Sequence, residues 1–246
     1  MRRIRFKDSA GSILIGELKG KKIKHEDNLY NSEEVEILPP VKPSKLVCIG
    51  LNYEDHAEET GRKIPDRPKL FLKTPNTVAS HQETIELLEG KKRIDYEAEL
   101  GVVIGKKCRN VARKDAMEFI MGYTCLNDIS NRDDQRQEQN WVRGKAFDKA
   151  APVGPVVADK KHVPEDAEIK AIVNDEVKQK STIDQLAFSI PELIEEITTY
   201  MTLERGDIIS TGTPSGVGPI QNNDEVEIKI EGIGTLRNHF LTSSPH

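Results

Sequence analysis

Strand-like segments recur along the chain with few helices between them, and this pattern limits the fold more than any other feature. Segment 225–232, EVEIKIEG, alternates cleanly, with Val226, Ile228 and Ile230 on one face. Other strand-like segments are KLVCIG, KLFLK, AELGVVIG, DIIST and GTLRNHF. A doubly wound fold alternates strands and helices regularly, so this pattern instead predicts an α+β, mostly β fold.

Two segments have the pattern of helices. Segment 113–122, RKDAMEFIMG, places Ala116, Phe119 and Ile120 on one face and ends at a glycine. Segment 189–206 begins with a serine followed three residues later by a glutamate, which is the spacing of a capping box. Its predicted core-facing residues are Leu193, Ile194, Ile197, Tyr200 and Met201.

The first 44 residues read as a separate small unit. Two strand-like segments, RRIRF and SILIGEL, are followed by a polar stretch that runs to EVEILPPVKPS. Three prolines in that last segment stiffen a connection. The sequence therefore predicts an N-terminal β-unit at 1–44 and a main domain at 45–246.

Composition excludes some classes of function. The net charge is −5, which argues against a general nucleic-acid surface, because such surfaces are basic. No run approaches the roughly 18 apolar residues of a membrane span, and the N-terminus lacks a signal-peptide core, so we expect a cytoplasmic protein. Cys48, Cys108 and Cys125 are widely spaced, which predicts buried free thiols.

A row of carboxylates precedes the segment AELGVVIG. Asp95, Glu97 and Glu99 occupy alternate positions, so a strand would place them on one face, about 7 Å apart, where like charges repel. A shared Mg²⁺, Mn²⁺ or Ca²⁺ would relieve the repulsion, with Asp128, directly after YTCLN, as a third ligand. The alternatives are a solvated strand face for the glutamates and a helix cap for Asp128.

Three further polar clusters could take part in chemistry. His56 and Glu59 would share a helix face and could form an oriented general base, or only a surface pair. Lys145, flanked by glycine and apolar residues, could face a substrate charge or merely lie at the surface. Gly212 and Thr213, in STGTPSGVGP, could hold a carboxylate through backbone N–H groups, or only connect two strands.

Six motifs occur in an order that resembles the fumarylacetoacetate hydrolase family. They are CIGLNYEDHAEE, PKLFLKTPNTV, DYEAELGVVIG, NDISNRDDQ, GKAFDKAAPVGP and ISTGTPSGVG. The resemblance runs from about residue 45 to 240 and implies a mixed β-roll with flanking helices, usually homodimeric. The N-terminal unit is similar to that of the bacterial acylpyruvase and homoprotocatechuate-pathway isomerase/decarboxylase branch.

The resemblance also implies roles for individual residues. Glu97, Glu99 and Asp128 would hold Mg²⁺ or Mn²⁺, and Asp95 would have no ligand role but lie at the rim or hold a partner of the ligands. The expected catalytic residues are His56, Glu59 and Lys145, with the His56 segment acting as a lid. The expected substrate-binding residues are Lys73, Arg132, Gln135, Gly212 and Thr213. Asn131 stands where the family motif usually has alanine.

The implied function is that of a divalent-metal enzyme acting on a small 2-oxo acid. The substrate would be of the acylpyruvate or oxaloacetate type, and the reaction C–C bond hydrolysis or decarboxylation through a metal-stabilised enolate. One alternative is the 2-hydroxyhepta-2,4-diene-1,7-dioate isomerase / 5-oxopent-3-ene-1,2,5-tricarboxylate decarboxylase of aromatic catabolism. Another is a catalytically silent, metal-stabilised binding protein.

Overall fold

The computed structural model describes residues 1–242. Strands of the first 44 residues pair with one another in antiparallel fashion. Their bounds are Arg2–Lys7 (β1), Ile13–Lys19 (β2), Lys22–His25 (β3), Asn28–Asn31 (β4) and Glu36–Leu38 (β5). The polar stretch after β2 therefore contains two strands that the sequence pattern did not predict, since Ile23 is the one buried side chain of β3.

The main part of the chain is also strand-rich, as predicted. Its strands are Leu46–Gly50 (β6), Lys69–Lys73 (β7), Val78–Ala79 (β8), Thr84–Leu87 (β9), Ile94–Tyr96 (β10), Ala98–Ile104 (β11), Ile120–Asn127 (β12), Ser130–Asn131 (β13), Ala151–Ala158 (β14), Glu168–Val173 (β15), Glu176–Thr182 (β16), Ile208–Ser210 (β17), Gly218–Pro219 (β18), Glu225–Ile230 (β19) and Gly234–Thr242 (β20). All the strand-like segments of the sequence are found among them.

Helices are short in this fold. The α-helices are Glu54–Glu59 (α1), Arg132–Gln135 (α2), Val142–Lys145 (α3) and Ile190–Tyr200 (α4), and the 3₁₀ helices are Pro75–Thr77, Arg113–Phe119, Lys160–His162 and Ile183–Gln185. Helix α4 begins with the predicted capping box between Ser189 and Glu192. It buries Leu193, Ile194 and Ile197, but Tyr200 is exposed, so its predicted place in the core is wrong.

Segment 113–122 is not the α-helix that its pattern predicted. Residues Arg113–Phe119 form a 3₁₀ helix, and Ile120 already belongs to β12. The backbone of Gly105 donates to Phe119 O at 2.6 Å, and Ile104 pairs with Ile120. Pairing with β11 thus competes with helix propagation and ends the helical turn.

The strands of residues 1–242 form three sheets. The largest has the order β4-β3-β2-β1-β14-β12-β11-β17-β6-β7, with β5 paired to β1 and β8 paired to β14. The others have the orders β13-β10-β18 and β16-β15-β19-β20-β9. Because β1 pairs with β14, the N-terminal strands continue the large sheet of the main part. The division of the chain at residue 44 stays a prediction.

Strand β11 is the strand on which the site is built. All seven of its residues are buried, since the sheet is covered on both faces. Leu100, Val102 and Ile104 pack into the larger apolar cluster, and Val103 packs into a smaller cluster on the opposite face. Glu99 lies four residues before Val103 on the same strand, so the two side chains leave the sheet on the same face, that of the smaller cluster.

The burial predicted for Cys48, Cys108 and Cys125 is confirmed, and all three thiols are free.

His81 makes the stability of this fold depend on pH. Its Nδ1 accepts a hydrogen bond from the backbone N–H of Arg237 at 3.1 Å, which requires an unprotonated nitrogen. Burial, and then the charge of Arg237, lower the pKa of His81 to about 4, while Glu227 partly offsets them. Below its ordinary pKa of 6.5 the unfolded chain binds a proton that the folded chain does not, so acidification towards pH 4 destabilises the fold.

We therefore expect the wild-type protein to lose about 2 kcal/mol more unfolding free energy than His81→Asn between pH 7 and 4.5. Asparagine keeps an acceptor oxygen for the Arg237 N–H but has no proton to bind. Urea unfolding at the two pH values measures the difference. Equal losses in the two proteins would show that His81 is not the group responsible.

Candidate functional site

Pairing of β11 with β12 brings the predicted metal ligands together. Ala98 is opposite Asn127 and Glu99 is opposite Leu126, so Asp128, just past the end of β12, lies beside Glu97. The backbone N–H of Asp128 donates to Glu97 O at 2.9 Å. One carboxylate oxygen from each of Glu97, Glu99 and Asp128 lies within 4.8 Å of the others, and all three side chains are buried. We call these three residues the carboxylate cluster.

Like charges at this separation change the acidity of the carboxylates. Burial, and then the charges of Asp128 and Glu97, raise the pKa of Glu99 to about 8. Burial acts in the same direction on Glu97, but Arg132 and Lys145 outweigh it and lower the pKa of Glu97 well below its ordinary value. The cluster is therefore short of positive charge on the side of Glu99.

Lys145 supplies one cation to the cluster. Its ammonium lies 2.7 Å from Glu97 Oε2 and 2.7 Å from Asp128 Oδ2, at the end of α3. Burial lowers the pKa of Lys145, but Asp128 and Glu97 more than compensate and raise it above its ordinary value. Phe71 lies beneath this ammonium, with 4.9 Å between Nζ and the ring centroid. The lysine is thus held charged at the carboxylates, as a partner of substrate charge would have to be.

Two oxygens of the cluster remain available to a metal ion. Asp128 Oδ1 is buried and receives no hydrogen bond from residues 1–242, although Lys73 Nζ is 2.9 Å away. The donors to Glu99, Ser210 Oγ and the Gly212 N–H, both use Oε2. Carboxylate oxygens without donors are the ligands that Mg²⁺ and Mn²⁺ prefer, so this residue set fits such an ion.

Lys73 is occupied by the protein itself. Its side chain is fully buried, and its ammonium donates to the carbonyls of Ile129, Lys145 and Ala150 at 3.1, 2.5 and 2.8 Å. The same ammonium lies 2.9 Å from Asp128 Oδ1, so it forms an ion pair with that carboxylate while its three protons also have the carbonyls as acceptors. Burial lowers the pKa of Lys73, an effect that Asp128 opposes. Lys73 therefore fixes the turn after β12 against the backbone of Lys145.

Arg132 connects the cluster to the carboxylate at the start of the row. It donates to Glu97 Oε1, to Asp95 Oδ2 at 2.8 Å, and to Gln135 Oε1 at 2.7 Å. Asp95 is buried, so it does not lie at the rim of the site. It binds Arg132, which in turn binds Glu97, and so it holds a partner of the expected ligands. Asn131, in the place of the usual alanine, caps α2 and donates to Asp134 Oδ2 at 2.6 Å.

The loop at 211–216 binds carboxylates of the protein. Gly212 N–H donates to Glu99 Oε2 at 3.0 Å, and Gly216 N–H donates to Glu59 at 3.1 Å. Thr213 is buried, and its hydroxyl accepts a hydrogen bond from Gln179 Nε2 at 2.8 Å. Both Gly212 and Gly216 have positive φ angles, so this loop conformation suits glycine.

The predicted dyad lies on helix α1, next to this loop. His56 Nδ1 is 3.3 Å from Glu59 Oε2, so the carboxylate orients the ring and leaves Nε2 for another partner. Ser215 Oγ donates to Asp55 Oδ2 at 3.1 Å, which adds a second contact between α1 and the loop. The dyad is thereby connected to the carboxylate cluster through residues 211–216.

Sequence reasoning did not single out Ser210 and Gln179. Ser210, at the end of β17, donates to Glu99 Oε2. Gln179 is buried, accepts from Ala98 N at 2.8 Å, and donates to Pro214 O at 2.8 Å, so it links β11 to the loop. Ser210 could have been found as the polar residue that ends the apolar segment DIIS. Nothing in the sequence marks Gln179, because the residues around it in β16 are mostly polar and exposed.

Three comparisons relate the chain to known proteins. It is 42% identical over 226 residues to oxaloacetate tautomerase YisK of Bacillus subtilis, covering 86% of this chain and 75% of that protein. A structure of 5-carboxymethyl-2-hydroxymuconate delta-isomerase from Mycobacterium smegmatis has a TM-score of 0.92 at 36% identity, covering 100% of both chains. Maleylpyruvate hydrolase from Sphingobium sp. SYK-6, solved with manganese(II) and pyruvate, has a TM-score of 0.84 at 28% identity, covering 99% of this chain and 100% of that one.

A match to a protein-family sequence model shows to which family the chain belongs. The model for the C-terminal region of fumarylacetoacetate hydrolase matches residues 45–241, which is most of the chain and includes every residue of the carboxylate cluster and of the dyad. The matched region begins just after the proline-containing connection at 39–43 and contains the whole of β6 to β19. The strand-rich fold, the order of the motifs and this match agree that the chain belongs to the fumarylacetoacetate hydrolase family.

Proposed function

We propose that this protein is a divalent-metal-dependent enzyme that interconverts the keto and enol forms of a small 2-oxo dicarboxylate of the oxaloacetate type. The observation that carries the proposal is the buried carboxylate cluster, in which Asp128 Oδ1 accepts no hydrogen bond from residues 1–242 and Lys145 lies at the edge. Relatives support the substrate class, since one of them is an oxaloacetate tautomerase.

Different residues would hold the metal, stabilise negative charge and transfer a proton. Glu97, Glu99 and Asp128 would hold Mg²⁺ or Mn²⁺, which as a Lewis acid supplies stabilisation for the negative charge of an enolate. Lys145 presents a buried positive charge at the same place and lowers the energy of a negatively charged substrate oxygen. His56, oriented by Glu59, can take and return a proton at Nε2. Tautomerisation requires that a proton leave the carbon beside the keto group and that a proton reach the keto oxygen, and the carbon skeleton is unchanged.

The His56–Glu59 contact favours a second candidate function. An oriented imidazole can also activate water, and C–C hydrolysis of an acylpyruvate requires an activated water. Decarboxylation of oxaloacetate needs the same enolate stabilisation without water. A maleylpyruvate hydrolase among the similar structures supports this candidate. The isomerase/decarboxylase of aromatic catabolism is a third possibility, supported by the similar muconate isomerase.

One experiment separates these activities. Purified protein with Mn²⁺ or Mg²⁺ is given oxaloacetate, and enol absorbance and pyruvate formation are followed, while acetylpyruvate reports hydrolysis. We expect accelerated keto–enol interconversion that EDTA abolishes. If none of the three reactions is accelerated by the metal-loaded protein, the enzyme proposal is wrong, and a catalytically silent binding protein explains the site.

No helix within residues 1–242 is long and apolar enough to cross a membrane. We also propose a homodimer, as the family resemblance implies, and light scattering during size-exclusion chromatography tests it. A mass near 27.6 kDa would instead indicate a monomer.

A further inference from the structure

Tyr53 lies directly before the helix that carries His56, and its backbone is held rigidly. It forms a β-bridge with Leu186, and the side chain of its neighbour Asn52 donates to Thr211 O at 2.8 Å. A Cβ atom added to Gly212 would lie 2.9 Å from Asn52 Cβ, so this segment is packed against the glycine whose N–H holds Glu99. The position of Tyr53 is therefore fixed relative to the carboxylate cluster.

The hydroxyl of Tyr53 is an unpartnered buried donor. The residue is 0% exposed, and its oxygen has no hydrogen-bond partner among residues 1–242. A buried tyrosine usually places its O–H against an acceptor, and leaving a buried polar group unpaired is unfavourable. Such groups are rare in folded proteins, and each one calls for an explanation. No contact within the described chain supplies one here.

Burial and the surrounding charges determine the protonation state of this hydroxyl. Burial, and then the negative charges of Glu99, Asp55 and Asp184, raise the pKa of Tyr53 above its ordinary value. The phenol is therefore a permanent O–H donor at neutral pH. Among those charges, Glu99 of the carboxylate cluster acts most strongly, and Asp55 belongs to α1. Tyr53 directly precedes α1, and its neighbour Asn52 packs against Gly212, whose N–H holds Glu99, so the residue lies between the helix of the dyad and the cluster.

We infer that Tyr53 is a further catalytic residue, whose hydroxyl donates a hydrogen bond to an oxygen of the bound 2-oxo acid. This inference rests on the proposed function for the identity of the substrate. The acceptor that Tyr53 lacks within the chain is supplied by the ligand, and negative charge that develops on a substrate oxygen strengthens the bond. The unfavourable burial in the free protein is thereby relieved when substrate binds.

This assignment makes stability and activity respond in opposite directions. Phenylalanine keeps the ring and its packing and removes only the unpaired group, so Tyr53→Phe should unfold at the same temperature as wild type or a higher one. Turnover should fall about tenfold to a hundredfold in kcat/KM, the cost of one hydrogen bond to a charged oxygen. A tyrosine with a structural hydrogen bond would instead lose stability on this substitution.

The test compares Tyr53→Phe with Tyr123→Phe, a buried tyrosine in β12 that lies about 17 Å along the strand from Asp128. Melting temperature, Mn²⁺ affinity, oxaloacetate kinetics and the affinity of the Mn²⁺-loaded protein for oxalate, an unreactive oxygen-rich mimic, are measured. We expect Tyr53→Phe alone to bind oxalate about tenfold more weakly, with unchanged Mn²⁺ affinity.

Wild-type oxalate affinity in Tyr53→Phe, or a clearly lowered melting temperature, would overturn the inference. Failure of the proposed function looks different, because the wild-type protein would then turn over none of the 2-oxo acids. The oxalate titration would still decide the role of Tyr53 in that case, since it requires a bound ligand and no reaction.

Discussion

Replacing Glu99 by glutamine is expected to reduce Mn²⁺ affinity at least a hundredfold and to abolish measurable turnover. Glutamine keeps an oxygen that accepts from Ser210 and the Gly212 N–H, but it removes the negative charge of one ligand. Loss of a partner beyond the ligands already costs about 10–100-fold in affinity, so loss of a charged ligand should cost more. The measurements are calorimetric Mn²⁺ titration and oxaloacetate kinetics.

The stability of the metal-free variant separates loss of a ligand from loss of the fold. The pKa of Glu99 is raised to about 8, so without metal the side chain is largely protonated near pH 7, and the isosteric, uncharged glutamine should leave the metal-free stability close to that of wild type. Saturating Mn²⁺ at 1,000 times its Kd should stabilise the wild-type protein by about 4 kcal/mol and the variant by much less. Glu86→Gln, on the exposed face of β9, is the matched control and should behave as wild type. Wild-type Mn²⁺ affinity in Glu99→Gln would contradict the ligand assignment.

Replacing Lys145 by methionine is expected to lower both the activity and the metal-free stability, whereas Glu99→Gln lowers activity without lowering stability. The variant should lose about 10²–10³ in kcat, the scale of one preorganised electrostatic contact. It should also lose about 3–5 kcal/mol of stability without metal, because Glu97 and Asp128 lose the ammonium 2.7 Å from each of them. A divalent cation replaces that charge, so Mn²⁺ should restore most of the stability but not the activity.

The control for this variant is Lys149→Met, which removes a partly exposed lysine four residues away that pairs with Glu83. It should keep wild-type activity, because exposed ion pairs contribute little. Lys145→Arg is not expected to rescue activity, since the planar guanidinium cannot occupy the position of a compact ammonium between two carboxylates. Full activity in Lys145→Met with Mn²⁺ would show that this lysine only neutralises the cluster.

Local patterns in the sequence predicted much of the fold and the composition of the site. Clean alternation predicted β19, and the spacing of Ser189 and Glu192 predicted the start of α4, since both depend on neighbours in sequence. The prediction that Glu97, Glu99 and Asp128 bind one metal ion combined strand periodicity with the family resemblance, and the structure places their carboxylate oxygens together.

What the sequence could not predict depends on contacts between distant segments. The role of Lys73 in binding substrate stays a prediction, but the sequence could not show that its ammonium is held by carbonyls of residues 56 to 77 positions further along the chain. The turn at Arg113–Phe119 had a helical pattern, but pairing of β12 with β11 ends it. The unpaired hydroxyl of Tyr53 could not be read from sequence, because only the three-dimensional neighbours of a buried group reveal that it lacks a partner.

Titration of metal-depleted wild-type protein with Mn²⁺, with bound metal and oxaloacetate tautomerisation followed in the same samples, shows whether the carboxylate cluster is the metal centre of the enzyme. The carboxylate cluster predicts that activity rises in proportion to bound Mn²⁺ and reaches its maximum at one ion per chain. Full activity in the metal-depleted protein, or no stoichiometric binding of Mn²⁺, would contradict the account.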